Sequence, residues 1–164
     1  MKEINIYAME IKNIIDKLPY NGEFMQRDLS YIKQIVVHHS ASEIGKFGPE
    51  DFAFWHMNGS MRAPRICYHY VIQPDGEVYQ TNHLESVSWH AGEANWSSVG
   101  ILVNGNFEVD EPTKNQLSAL RILNKKLIDE LGDLDIVGHC DVQATLCPGK
   151  NLYQRKNDWF FDFS

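Results

Sequence analysis

Apolar positions along the chain switch between two periods. Between residues 3 and 18, Ile4, Tyr7, Ile11, Ile14, Ile15 and Leu18 recur at helical spacing, and Pro19 stands where a helix must stop. This predicts an N-terminal helix followed by a surface loop over 19–32. Ile35-Val36-Val37-His38-His39 is a short β-branched run, too short for a helix, and reads as a buried strand. Gly48-Pro49-Glu50-Asp51 opens a second helix with Pro49 in its first turn, and Phe52, Trp55, His56 and Gly59 share one face of it. Residues 67–73 read as the next strand. Pro74-Asp75-Gly76 is a turn signal, so 77–80 returns as a hairpin partner. A further buried strand is expected at 99–103. Thr113 and Gln116 form a capping-box pair ahead of a stripe of Leu117, Leu120, Leu123, Leu127 and Leu131, with Gly132 at the C-terminal cap. The last strand is expected at 134–137.

Strands therefore alternate with helices around one hairpin. That is an α/β chain with a central mixed sheet flanked by helices. Its 164 residues suit a single domain, 1–164. There is no repeat, low-complexity tract or linker to divide it. The net charge of −7 argues against nucleic acid, whose binders carry a basic face. No apolar run reaches the length of a membrane span. Lys2, Glu3, Glu10, Lys12, Asp16 and Lys17 break the first residues too often for a signal peptide. The expectation is a monomer without a membrane partner. It would be cytoplasmic until released to its site of action by another device. Three cysteines, Cys67, Cys140 and Cys147, fit poorly with a disulfide framework and read as reduced thiols.

Seven histidines make their placement worth following. His38 and His39 end a buried strand. His139 follows the strand ending at Val137, and Cys147 lies eight residues further on, with Pro148 and Gly149 to shape the return of the loop. Two imidazoles and a thiolate would give Zn²⁺ three protein ligands and leave a fourth position for water. Spacing alone leaves this reading level with a bland one, in which strand-end histidines and free cysteines are simply core residues. Of the adjacent pair His38 and His39 only one can face a metal, because neighbouring strand residues point to opposite faces. The apolar run before them does not say which.

Five segments then occur in order: Val37-His38-His39-Ser40-Ala41-Ser42, Tyr68-His69-Tyr70-Val71-Ile72, Trp89-His90-Ala91-Gly92, Ser98-Val99-Gly100-Ile101, and Gly138-His139-Cys140-Asp141 through Thr145-Leu146-Cys147-Pro148-Gly149. Together they resemble the zinc-dependent N-acetylmuramoyl-L-alanine amidases, which include phage lytic amidases and peptidoglycan recognition proteins. The resemblance spans residues 30 to 153 and leaves residues 1–30 outside the shared core. It implies one zinc ion held by His38, His139 and Cys147. The implied reaction is cleavage of the amide between N-acetylmuramic acid and L-alanine in peptidoglycan, by attack of a zinc-bound water. It further implies Tyr68 and Thr145 as catalytic residues and His90 beside a substrate groove; Trp89, Asn95 and Trp96 are expected to line that groove because aromatic faces and amides suit sugar and peptide. Leu102 stands where a related branch, acting on anhydro-muropeptides, carries a glutamate base, and that branch has aspartate in place of Cys147. The general base is thereby left unassigned. Cys67 and Cys140 read as buried apolar groups. Three rivals remain: a binding module of the same fold that does not cut, a metal-free thiol hydrolase using Cys147, and a purely structural zinc closed by a fourth protein ligand, for which Cys140 is the only obvious extra.

Overall fold

The computed structural model describes residues 8–160. Six strands form one mixed sheet in the order β1-β4-β3-β5-β2-β6. They are β1 (Ile11–Asn13), β2 (Gln34–His39), β3 (Tyr70–Ile72), β4 (Val78–Gln80), β5 (Ser98–Val103) and β6 (Asp135–Gly138). The β3–β4 hairpin is antiparallel, and β3, β5, β2 and β6 run parallel to one another. Helices α1 (Pro49–Asn58) and α2 (Lys114–Leu131) connect the strands, and two single-turn helices, α3 (His139–Val142) and α4 (Lys150–Tyr153), follow β6. The chain is one α/β domain.

Side-chain alternation divides the two faces. Ile35 and Val37 of β2, Val99, Ile101 and Val103 of β5, and Tyr70 and Ile72 of β3 point into the larger core, where α2 buries Leu117, Leu120, Leu123 and Leu127. The opposite face carries Val71 and Leu102 against Phe52 and Ala53 of α1. His38 pairs in register with Leu102, so it belongs to the α1 face, while His39 belongs to the α2 face. The ambiguity between the two histidines is thus resolved by β5, which the β2 sequence by itself does not contain. The capping box forms in both directions: Gln116 N donates to Thr113 Oγ1 and Thr113 N donates to Gln116 Oε1, each at 3.0 Å.

The N-terminal helix does not form over the described part of its range, and residues 3–7 lie outside the described residues. Asn13 Oδ1 accepts from Ile15 N at 3.0 Å, a local bond that competes with helical pairing. Residues 11–13 join the sheet edge beside β4, and Ile15–Lys17 makes one 3₁₀ turn. Ile15 and Leu18 are still buried, but they reach the core from a strand edge and a 3₁₀ turn and not from one face of a helix. Trp55 also departs from expectation: it stays 42% exposed, and Phe52 and Ala53 supply the buried face of α1. The strand expected at 67–73 is regular only from Tyr70. Thr81 N and Asn82 N both donate to His69 O, which interrupts the ladder at that point. Tyr68 consequently does not share a face with Tyr70 and Ile72; it packs on the α1 side.

Candidate metal centre and its cavity

His38 ends β2, His139 is the first residue after β6, and Cys147 returns on the loop between α3 and α4. All three thus gather at the carboxyl ends of parallel strands, where open α/β sheets place their ligands. Their ligand atoms lie within 4.8 Å of one another. Cys147 Sγ is 3.6 Å from His38 Nδ1. Zinc bonds of about 2.3 Å to sulfur and about 2.0 Å to nitrogen, at a tetrahedral angle, require about 3.5 Å between those two atoms. The donor set therefore fits zinc in chemistry, and its Cys147–His38 pair fits in spacing.

The imidazoles are prepared for a cation. Burial first, then the neighbouring His90 and His139, hold His38 well below the usual imidazole range, so it is neutral and able to donate a lone pair. Its Nε2 lies 2.9 Å from His90 Nδ1, leaving Nδ1 toward Cys147. His139 Nε2 is 2.5 Å from Gln143 Oε1, which leaves its Nδ1 as the free donor. Burial pushes the Cys147 thiol up to about 12, partly opposed by a 3.4 Å bond from His39 N. Without a cation this is an inert thiol at neutral pH, which disfavours the thiol-hydrolase alternative.

An open cavity of about 550 Å³ lies over the three residues. Tyr68 and Thr145 line it, together with His39, Asn106 and Glu108. The Tyr68 ring stands 5.1 Å from the His38 ring and 5.3 Å from that of His56. Burial, then Cys147, raises its phenol, so it is a neutral O–H donor across the working pH range. Thr145 Oγ1 accepts from Cys147 N at 3.2 Å and shapes the ligand loop.

Residues 28–150 match the N-acetylmuramoyl-L-alanine amidase family. The chain belongs to that family. Among curated relatives it is similar to peptidoglycan-recognition protein SC1a of Drosophila melanogaster, 29% identical over 140 residues covering 79% of this chain and 75% of that protein. Among solved structures it is similar to the N-acetylmuramoyl-L-alanine amidase LysC from Clostridium intestinale, with a TM-score of 0.77 at 25% identity over 92% of this chain and 95% of that one. Drosophila peptidoglycan recognition protein SD superposes with a TM-score of 0.79, also at 25% identity, over 92% and 95% of the two chains.

This amidase-family chain does not place the four expected groove residues in the cavity. His90 is buried at 8% exposure behind His38, with its Nδ1 2.9 Å from His38 Nε2, and does not line the cavity. Asn95 Oδ1 accepts from His90 N at 3.0 Å and Ala91 N at 2.6 Å, so its amide fixes the loop instead. Trp89 is half-exposed but packs edge-on against Phe24, since its neighbour His90 turns inward and it turns the other way. Trp96 packs on Tyr31. In their place stand Asn106 and Glu108, while His56 lies behind Tyr68 and accepts from Cys67 N at 3.0 Å. Cys67 is buried as expected, whereas Cys140 is only half-buried. Its backbone N donates to Cys147 O at 2.8 Å.

Histidines buried in this way make stability depend on pH. Burial lowers His69 to about 3 and His56 to about 4, against about 6.5 in an unfolded chain. As pH falls below about 6.5 the unfolded chain takes up protons that the fold refuses, so stability is full above that value and is lost toward pH 4. The metal-free protein should therefore show a thermal midpoint that falls steadily from pH 7 to pH 4, losing a few kcal/mol, as read by circular dichroism. A flat profile over that range would mean that these rings are protonated inside the fold.

Proposed function

We propose that this chain is a zinc-dependent N-acetylmuramoyl-L-alanine amidase acting on peptidoglycan. The observation that carries the reading is the trio His38, His139 and Cys147, with ligand atoms within 4.8 Å at the floor of an open cavity and a neutral phenol beside it. A zinc ion held there supplies a Lewis acid and lowers the pKa of water toward neutrality. The chain's own residues divide the remaining work. His38 and His139 offer Nδ1 lone pairs, and Cys147 closes the set. Tyr68 presents its hydroxyl to the developing oxyanion of the scissile amide. Glu108, a carboxylate on the cavity wall whose Oε1 already accepts from Lys150 N at 2.8 Å, has its second oxygen available for a proton. Thr145 orients the ligand loop and offers a hydroxyl at the rim.

The peptidoglycan partner is supported by the amidase and recognition proteins to which the chain is similar. Several relatives are named for recognition alone, so a binding-only protein is the alternative. The deciding experiment incubates purified peptidoglycan with the protein, with and without chelator, and identifies new termini by mass spectrometry. Stem peptides with free L-alanine amino termini are expected, and chelation should abolish them. Protein that carries zinc yet releases no such termini is a binding module.

Tyr68→Phe removes one hydroxyl and keeps the ring between His38 and His56. Amidase activity should fall about 10²-fold, in the range for loss of one oxyanion donor, with zinc content unchanged. Turnover within a few-fold of wild type would remove Tyr68 from the chemistry.

A further inference from the structure

We infer that His90 is a positioning residue for the metal centre, fixing the tautomer and ring angle of His38 through a buried relay that ends on the backbone. This deepens the zinc-amidase reading and rests on it. His38 faces Cys147 with Nδ1, so its single proton must sit on Nε2. That N–H points at His90 Nδ1, 2.9 Å away. His90 then carries its own proton on Nε2, 3.2 Å from Ser98 Oγ. Ser98 in turn donates to Ala94 O at 2.6 Å. One requirement, a lone pair on His38 Nδ1, thus sets every proton along the chain of groups.

The fold is built around this relay. Gly100 lies under the His90 ring; a Cβ there would come within 2.7 Å of His90 Cγ and 2.8 Å of Nδ1. Asn95 pins the backbone on either side of the ring. The rings of His38 and His90 meet edge-on with centroids 5.0 Å apart. His38, His90 and Ser98 are all buried, so a lost partner is not simply replaced by bulk water as it is at an exposed pair. His139 has the equivalent partner in Gln143, but that pair is exposed and water can stand in for it.

Partners of metal-binding imidazoles contribute about 10–100-fold in metal affinity. The test measures zinc affinity of the full chain by competition with a chromophoric chelator, and the visible absorption of the Co²⁺-loaded protein. His90→Phe keeps a ring over Gly100 and removes the acceptor. His90→Asn places an amide oxygen near the position of Nδ1 and should restore it. Zinc affinity should fall about 10–100-fold in the first variant, return to within a few-fold in the second, and change little in Gln143→Ala. The Co²⁺ bands should shift in His90→Phe and revert in His90→Asn. Equal affinity and equal spectra in wild type and both variants overturn the inference. So does equal loss in both variants, which would mark His90 as packing alone. Failure of wild type itself to bind zinc overturns the amidase reading instead. Circular dichroism of the metal-free variants establishes that each is folded before it is scored.

Discussion

Cys147→Ser should leave a folded protein that holds no zinc after dialysis and cuts no peptidoglycan. The loop that carries Cys147 does not depend on its sulfur. Cys140 N donates to Cys147 O, Gly149 N donates to Leu146 O, and Cys147 N donates to Thr145 Oγ1, all of which serine keeps. The sulfur's contacts among the described residues are long: 3.4 Å from His39 N, 3.6 Å from His38 Nδ1 and 4.0 Å from His39 O. What serine removes is the soft anionic donor. A serine hydroxyl is neutral at pH 7 and shorter in reach, so two imidazoles remain to hold the ion. Metal content by mass spectrometry should fall to background, amidase activity at least about 10³-fold, and the metal-free melting temperature should move by only a few degrees. The same thiol sets a pH trend in the wild type. Binding must displace its proton, so apparent zinc affinity should weaken as pH falls. Serine protein with wild-type zinc and activity would dismantle the proposed centre.

Much of this architecture is written in local pattern. β2 is a β-branched run that cannot be read otherwise, and α2 declares both its cap and its stripe. The trio that could hold a metal is also legible, because His38, His139 and Cys147 sit in segments whose combination is specific, and the fold brings their ligand atoms within 4.8 Å. What could not be read is lateral. The face of His38 depends on its register with Leu102 of β5, sixty-four residues away in the chain. The inward turn of His90 depends on the absence of a side chain at Gly100, and nothing in Trp89-His90-Ala91-Gly92 says which of its two rings turns in. The cavity wall at Asn106 and Glu108 comes from a loop with no motif of its own. The N-terminal segment failed for a different reason: Asn13 bonds to Ile15 and β4 offers an edge, and tertiary pairing overrode a spacing that would suit a helix.

Gly149→Ala should cost more stability than any other single-methyl addition near the centre, because the obstacle is backbone. Gly149 has φ +89° and ψ 141°, outside the left-handed helical well, which a non-glycine residue adopts at a cost of about 1–3 kcal/mol. A Cβ there would also lie 2.6 Å from Phe107 C and 2.9 Å from both Glu108 N and His39 Nδ1. None of these is a flexible tip. Asn151 N donates to Phe107 O and Lys150 N to Glu108 Oε1, so the ligand loop is stitched to residues 107 and 108 at this point. The methyl must push the two segments apart, and Cys147 moves with one of them. A loss of about 3 kcal/mol or more is expected, lowering the melting temperature by roughly 10 °C, with weaker zinc binding in the same variant. Gly132→Ala supplies the internal control: its φ is +97°, yet nothing lies within 4 Å of the added carbon. That variant should show the backbone strain of its own φ +97°, ψ −163° alone, about 1–3 kcal/mol, and leave zinc affinity untouched. The gap between the two variants measures the collision that holds the cysteine loop against His39, and equal losses would mean that the loop yields freely.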